Sequence, residues 1–218
     1  MNRSEEDLHR HEIAFRGLEI FEKRSQHKIV ICGAGALGSN LLNVIARQGF
    51  TSLSLIDMDK VESHNVANQL FGKSDVGSAK VRACANKMFR ELGVKIEPIF
   101  KELKQNNTIK LFKKASLIVD TFDNFESRKI VKDHCLDLPC VHAGMSDDGF
   151  SEIKWNSDYK IPETEVEQND VCEYPLAVNL VHFTVCLLAE AIIRFIDLGQ
   201  KINFDFTLTD LKVTSRPI

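Results

Sequence analysis

The sequence lacks the features that mark several common protein classes. Its 218 residues carry a formal net charge of −3, which gives no bulk attraction to nucleic acid or to anionic lipid. Six cysteines are present but none forms a C-x-x-C pair, so a zinc site of four thiolates is not expected. No G-x-x-x-x-G-K-[ST] run occurs, which excludes a P-loop site. We therefore expect no nucleic-acid partner and no membrane partner.

Targeting and membrane signals are also weak. The first residues, MNRSEEDLHRHE, are charged and unlike a signal peptide, so we expect a cytoplasmic protein with reduced thiols. One apolar stretch, residues 176–198, is long enough to cross a bilayer. Because it contains Glu190, Arg194 and Asp197, we predict a buried helix of a soluble domain instead.

Residues 28–59 read in the order strand, glycine turn, helix, strand and acid. Gly33, Gly35 and Gly38 are spaced as G-x-G-x-x-G, a pattern that permits a tight turn, close approach of a phosphate and close helix packing. The helix N-terminus offers free N–H groups to an anion, and Asp57 can accept hydrogen bonds from ribose hydroxyls. This context predicts a nucleotide site; the alternative is a Rossmann-like domain that has lost its ligand.

Strand and helix patterns alternate along the rest of the chain. Helices are predicted at residues 36–48, 78–92, 107–113, 125–136 and 176–198, and strands at 28–32, 52–56, 94–100, 117–119, 139–142, 150–155, 203–208 and 211–213. Such alternation predicts an α/β fold: a Rossmann-like, mostly parallel sheet with helices on both faces and antiparallel strands at the C-terminus. We predict one or two helices in an N-terminal arm (1–25), a nucleotide-binding domain (26–218), a polar loop after Asp59 and a mobile crossover loop (156–174).

Further polar groups follow the predicted strands. Asp120, Asp123 and Asn124 form a D-x-x-D-N motif after a buried strand, where two carboxylates can hold Mg²⁺ directly or through water. The alternative is that Asp123 or Asn124 only caps the next helix. Lys80 lies in the first turns of a helix, where the dipole disfavours a cation, so it has either a functional role or that of a plain solvated lysine.

Four ordered motifs together resemble one known family. GAGALGSN, LIDMDKVESHNVANQ, DVGSAKV and VDTFDN are similar to the ThiF/MoeB/HesA adenylyltransferases, which are related to the ubiquitin-activating enzymes. The resemblance runs from about residue 10 to residue 213. It implies that ATP and Mg²⁺ are used to adenylate a C-terminal carboxylate, usually that of a small ubiquitin-like protein, and that the protein is a homodimer.

The resemblance also implies roles for individual residues. The glycine loop would contact the nucleotide, Asp57 the ribose, and Asn65 and Lys80 the phosphates. Asp123 would be the magnesium ligand, and Arg10 would reach the ATP of the partner subunit. The implied nucleotide-binding set is Gly33, Gly35, Gly38, Asp57, Asp59, Asn65, Asn68, Gln69, Lys80, Asp120 and Asn124, and the implied catalytic set is Asp123, Lys80, Arg10 and Cys172.

Two positions carry open questions. Asn68 stands where the family often has an arginine that holds the triphosphate, so that cationic contact is missing or comes from Lys73 or Arg82. Cys172 is the best candidate for accepting the acyl group, although its acidic neighbours disfavour a thiolate. A conjugating or sulfur-transfer partner can instead take the adenylate directly. The other five cysteines are expected on core faces or at strand ends.

Two other functions compete with adenylation. The glycine pattern followed by an acid is the usual signature of an NAD(P)-dependent oxidoreductase. That reading gives no role to the loop of residues 60–80 or to the D-x-x-D-N motif. A non-catalytic adapter subunit with the same fold is the other alternative, and the presence of Lys80, Asp123 and Arg10 argues against it.

Overall fold

The computed structural model describes residues 3–161 and 176–218. Within these ranges the helices are α1 (Arg3–Leu8), α2 (Arg10–Arg16), α3 (Leu18–Arg24), α4 (Ala36–Arg47), α5 (Lys80–Leu92), α6 (Gln105–Leu111), α7 (Phe125–His134) and α8 (Val178–Leu198). The strands are β1 (Ile29–Cys32), β2 (Leu53–Asp57), β3 (Glu97–Phe100), β4 (Leu117–Asp120), β5 (Cys140–Met145), β6 (Phe150–Trp155), β7 (Ile202–Thr207) and β8 (Lys212–Pro217).

One eight-stranded sheet runs through the molecule in the order β3-β2-β1-β4-β5-β6-β7-β8. The first five strands pair in parallel, and β6, β7 and β8 continue the sheet in antiparallel fashion. β1, β2 and β4 are buried along their whole length, because helices cover both faces of the parallel part. The predicted fold class is therefore confirmed.

Two hydrophobic clusters lie on opposite faces of the sheet. Ile29 and Ile31 of β1 point into the larger cluster with α4, α5 and α8. Val30 and Cys32 point into the smaller cluster, which includes residues on and beside α6 and α7. Alternate residues of one short strand thus serve both faces, which explains why the strand sequence is apolar without a break.

Several predicted boundaries shift in the structure. The region predicted as a polar loop contains two short 3₁₀-helices, Ser63–Ala67 and Lys73–Asp75. The arm consists of three short helices instead of one or two. The strand predicted from Val94 begins only at Glu97. The predicted C-terminal hairpin is confirmed by the pairing of β7 with β8.

Helix α8 is long and apolar enough to cross a membrane, the one helix of which this is true among the described residues. Half of its most apolar 18-residue stretch is buried inside the protein. Its buried side chains, which include Val181, Val185, Leu188 and Ile192, join the larger hydrophobic cluster. In this fold α8 therefore serves as a core helix.

The crossover loop predicted at residues 156–174 lies largely outside the described residues, as does Cys172. Its first residues are described, and they are held by packing and hydrogen bonds. Tyr159 is fully buried, and Asn156 hydrogen-bonds to both His142 and the carbonyl of Cys135. The chain therefore leaves β6 along a fixed path.

Candidate nucleotide site

The glycine loop lies between the end of β1 and the start of α4. Gly33 has φ +99°, a conformation that side-chain-bearing residues rarely adopt. A Cβ atom on Gly38 would lie 1.9 Å from the carbonyl oxygen of Gly33, so helix and loop touch through bare backbone. Thr121, directly after β4, fastens the loop by donating from Oγ1 to the carbonyl oxygen of Cys32 at 2.9 Å. The first and third glycines thus have the structural roles that their spacing predicts.

Gly35 differs from the other two glycines because it faces open space. A Cβ atom built there meets no heavy atom within 4 Å. Gly35 is the N-cap of α4, and no side chain caps the helix. The first-turn N–H groups of an α-helix have no intrahelical partner and lie at the positive end of its dipole. An uncapped helix start beside open space is a cradle suited to a phosphate group.

Asp57 lies next to the glycine loop. Its Oδ2 accepts a hydrogen bond from the backbone N–H of Ala34 at 2.7 Å, and its Oδ1 accepts one from the N–H of Asp59 at 2.7 Å. Burial raises the pKa of Asp57, and the two backbone N–H groups oppose that rise. The carboxylate therefore ties the glycine loop to the chain that leaves β2.

Lys80 is brought to the same place. It begins α5 and is 9 % exposed, and its Nζ lies 3.1 Å from Oδ2 of Asp59. Its backbone N–H also bonds to the carbonyl of Asp59 at 3.0 Å. A buried lysine at a helix start is unfavourable without an anionic partner. The structure thus assembles Asp57, Asp59 and Lys80 around the glycine loop.

The segment between them supplies amide side chains. Asn65 is buried and accepts from the N–H of Glu62, and the carbonyl of Asn68 accepts from the side chain of Asn40. Oδ1 of Asn68 and Oε1 of Gln69 are buried without a hydrogen-bond partner among the described residues. Unpaired buried acceptors are costly, so a donor from a bound molecule or water is expected here.

The D-x-x-D-N motif divides into three different roles. Asp120 is fully buried, and its oxygens accept from the N–H of Phe122 at 3.1 Å and pair with His142 at 2.8 Å. Both oxygens are engaged inside the protein, which counts against a direct contact, and the nucleotide contact of Asp120 stays a prediction. Asn124 accepts from the N–H of Ser127 and caps α7, as the alternative prediction stated. Asp123 is the acid of the motif that reaches the surface.

Arg10 is not brought to this site within one chain. The neighbouring His9 bonds through Nδ1 to the carbonyl of Arg47 at the C-terminal end of α4. The glycine loop lies at the opposite end of this 12-residue helix, about 18 Å away at 1.5 Å per residue. An arginine side chain does not cover that distance, so Arg10 has no role at its own chain's glycine loop.

The described cysteines mostly follow expectation. Cys32, Cys84, Cys135 and Cys140 are buried, and burial raises the pKa of Cys84 to about 12. These thiols are poor nucleophiles. Cys186 is exposed on α8, so its predicted burial on a core face is wrong. The apolar stretch around it hides that this position faces outward on the helix.

Sequence reasoning missed a buried polar group behind the motif. His142 of β5 contacts Asp120, and its ring stacks on Tyr159 at 3.9 Å between centroids. Tyr159 accepts a hydrogen bond from Arg128 at 2.6 Å. Burial alone would lower the pKa of Arg128, but the negative charges near it, led by Asp120, raise it overall. The available signal was a histidine inside an otherwise apolar strand.

A family model described as the ThiF family matches residues 9–157. The chain belongs to the ThiF family. The matched residues contain the glycine loop, Lys80 and the whole D-x-x-D-N motif. The family resemblance expected from the four motifs is therefore confirmed.

Two curated relatives are adenylyltransferases. The chain is 34% identical over 123 residues to "Adenylyltransferase and sulfurtransferase MOCS3-1" of Zea mays, covering 55% of this chain and 26% of that protein. It is 34% identical over 116 residues to "Sulfur carrier protein ThiS adenylyltransferase" of Bacillus subtilis, covering 51% and 34%. This ThiF-family chain thus aligns with about a quarter to a third of these relatives' lengths.

Solved structures of E. coli MccB share the fold. The crystal structure of MccB with ATP superposes with a TM-score of 0.74 at 19% identity, covering 91% of this chain and 66% of that one. The structure of MccB with AMPCPP and MccA gives a TM-score of 0.76 at 19% identity, covering 91% and 65%. The fold shared with MccB therefore extends beyond the residues that the family model matches.

The residues of this ThiF-family chain suit a metal ion whose other ligands are phosphate oxygens of a bound substrate. No group of three or more His, Cys, Asp or Glu side chains that could enclose an ion occurs in the described ranges. Mg²⁺, however, is usually held by one or two carboxylates together with substrate phosphates and water. Asp123, exposed after β4, fits that arrangement, because Thr121 of the same loop touches the glycine loop.

Proposed function

We propose that this protein is an ATP- and Mg²⁺-dependent adenylyltransferase. Its substrate would be the C-terminal carboxylate of a small ubiquitin-like protein or peptide. The observation that carries the proposal is the uncapped start of α4 with open space at Gly35. The buried Lys80 is linked to this loop through Asp59 and Asp57, and the exposed Asp123 follows Thr121, which hydrogen-bonds to Gly33. The sequence relatives support the reaction class, and the MccB structures support the fold.

The reaction follows from the charges involved. A carboxylate oxygen attacks the α-phosphorus of ATP, the bond from that phosphorus to the bridging oxygen breaks, and pyrophosphate leaves. Negative charge then has to be stabilised on both sides of the transferred group. The first-turn N–H groups of α4 and the ammonium group of Lys80 are the donors that this chain offers. Bound Mg²⁺ would supply further positive charge to the phosphates.

Each predicted nucleotide contact keeps a place in this proposal except Asp120 and Asn124, whose side-chain oxygen caps α7. Asp57 would accept from the ribose hydroxyls, and Lys80 would exchange Asp59 for a phosphate oxygen. The resemblance implies that Asn65, Asn68 and Gln69 lie near the phosphates, and two of them carry buried oxygens that have no partner among the residues that the structure describes. Asp123 would hold Mg²⁺. The loss of the usual arginine at Asn68 would be compensated by Lys73 or Arg82, which are exposed.

Assembly and partners are part of the proposal. We propose a cytoplasmic homodimer in which Arg10 reaches the ATP of the other subunit, since the distance along α4 prevents a contact within one chain. The adenylate would pass to Cys172 or directly to a conjugating or sulfur-transfer protein. An acidic setting around Cys172 disfavours the first route.

ATP–pyrophosphate exchange with candidate ubiquitin-like proteins and peptides tests the proposal. We expect exchange in the natural protein and its loss in Lys80→Ala and in Asp123→Ala. Lys87→Ala is the matched control, because Lys87 lies on the same helix as Lys80 and its one ion pair within the described part of the chain is the i,i+4 pair with Glu91. Exchange that persists in both site variants contradicts the proposal. NADH oxidation would favour an oxidoreductase, and absence of both activities would favour an adapter.

A further inference from the structure

A buried polar network lies behind the D-x-x-D-N loop, and its centre is His142. The side chain is fully buried on β5. Its Nδ1 lies 2.8 Å from Oδ2 of Asp120, and its Nε2 lies 2.8 Å from Oδ1 of Asn156. A wholly buried imidazole is costly unless both ring nitrogens have partners, and here they do.

The neighbours of Asn156 fix the direction of these bonds. Nδ2 of Asn156 donates to the carbonyl of Cys135 at 3.1 Å, so its Oδ1 faces His142 and accepts. Nε2 of His142 therefore carries a proton and donates to Asn156. The 2.8 Å contact between Nδ1 and Oδ2 of Asp120 is also a hydrogen bond, so a proton lies between those two atoms. The imidazole thus spans the space between a strand end and the chain that leaves β6.

A second branch of the network starts at the face of the same ring. Tyr159 stacks on His142 with an interplanar angle of 10°, and its hydroxyl accepts from Nη1 of Arg128 at 2.6 Å. Nη2 of Arg128 donates to the carbonyl of Ala143 at 3.1 Å. Arg128 belongs to α7, whose first turn follows the D-x-x-D-N motif directly. The start of α7 is therefore tied to β5 and to Tyr159.

These two branches bracket Asp123. On its N-terminal side Asp120 accepts from the N–H of Phe122 at 3.1 Å, which sets the turn of the loop. On its C-terminal side Arg128 holds the helix that begins two residues later. Both anchors end on the stacked pair of His142 and Tyr159. Asp123 itself is exposed, and these anchors hold its loop together with Thr121, which hydrogen-bonds to Cys32 and Gly33.

We propose that His142 is a positioning residue for Asp123: it holds Asp120 and Tyr159, which fix the two sides of the loop that carries the metal-binding acid. The inference rests on the proposed function, because it assigns His142 to the Mg²⁺ part of that site. Groups that orient a metal ligand from behind commonly affect metal affinity strongly. His142 touches neither the glycine loop nor Asp57 in any hydrogen bond of the described residues, so the proposed phosphate cradle and ribose contact do not depend on it.

The test compares ATP affinity in Mg²⁺ with ATP affinity in EDTA for the full chain and for His142→Leu and His142→Asn. We expect His142→Leu to reduce the ratio of the two affinities by roughly tenfold or more. Its affinity in EDTA should stay unchanged. His142→Asn should restore the ratio, because its amide N–H can donate to Asp120. Amide exchange at Phe122, measured without nucleotide, should accelerate in His142→Leu and not in His142→Asn.

Two outcomes separate this inference from the proposed function. If the natural protein binds no ATP, the proposed function fails and the positioning role fails with it. If it shows Mg²⁺-dependent binding and His142→Leu keeps the full ratio, only the positioning role is overturned. Should His142→Leu not fold, Tyr159→Phe decides, because it keeps the ring stack and removes only the hydroxyl that Arg128 binds. An unchanged ratio in that variant overturns the inference.

Discussion

Single glycines in the loop have separable roles, which gives a matched pair of variants. Gly38→Ala places a methyl group 1.9 Å from the backbone oxygen of Gly33, so helix and loop must move apart. We expect a loss of about 1–3 kcal/mol of unfolding free energy, the usual range for overpacking. Gly35→Ala meets only open space, so its stability should change by less than about 0.5 kcal/mol.

Nucleotide binding, unlike stability, should be sensitive to the substitution at Gly35. Gly35→Ala fills the space where we expect a phosphate to approach, so ATP affinity should fall although the fold is unchanged. Urea unfolding and calorimetric titration with ATP measure the two effects. Normal ATP binding by a well-folded Gly35→Ala variant would argue against the cradle at the start of α4.

The carboxyl group of Asp57 should give stability a distinct pH dependence. Burial raises the pKa of Asp57 above its ordinary value of 3.8. In the window just above that value the folded protein binds more protons than the unfolded chain, so the contribution of Asp57 falls as pH rises. Relative to Asp57→Asn, the natural protein should lose unfolding free energy as pH rises through this window. Urea unfolding of both proteins across the acidic range checks the sign. A natural protein that gains unfolding free energy relative to Asp57→Asn as pH rises would contradict it.

At the scale of elements, the arm is joined to α8 by a buried ion cluster. Arg24 of α3 is fully buried and bonds to both oxygens of Asp197, at 3.1 and 2.6 Å, and to Glu12 of α2 at 2.9 Å. Breaking such a pair leaves an uncompensated buried charge. Arg24→Met should therefore cost about 3–5 kcal/mol in urea unfolding.

A double variant tests the cause of that loss. Arg24→Met with Asp197→Leu removes both charges, so much of the lost stability should return. Arg194→Ala breaks only a partly exposed i,i+4 pair with Glu190 and should change stability by about 0.5 kcal/mol or less. If the double variant is no more stable than Arg24→Met, lost packing explains the effect better than an unpaired carboxylate.

At the scale of the whole molecule, the proposed homodimer gives a complementation test. A twofold dimer made of one Arg10→Ala chain and one Asp123→Ala chain contains one intact site if Arg10 acts across the interface. Random mixing of the two inactive proteins should therefore restore about a quarter of the natural activity per site in pyrophosphate exchange. No restored activity, or light scattering from a monomer, would contradict a trans role for Arg10.

Local sequence patterns predicted most helices and strands. The reason is that hydrophobic periodicity, and the glycines that end helices, depend on residues close together in the chain. The helix at 78–92 appears as α5 and ends at Gly93, which has φ +71°. Predicted helix boundaries were wrong where hydrogen bonds to other segments set the start of the helix. Ser78 bonds to Asp75 in a turn and Lys60 bridges Ala79, so α5 starts only at Lys80.

The sequence by itself determined the family and the strand–glycine turn–helix unit, because motif order and local chain geometry carry that information. The metal role of Asp123 is implied by the family resemblance and stays a prediction. Only the tertiary structure decided that Asp120 faces inward to His142, and that Arg10 lies at the far end of α4 from its own glycine loop. Those two facts depend on contacts between strands and helices that are distant in the chain. No local pattern encodes which way a buried carboxylate turns or to which end of a helix an arm is bound.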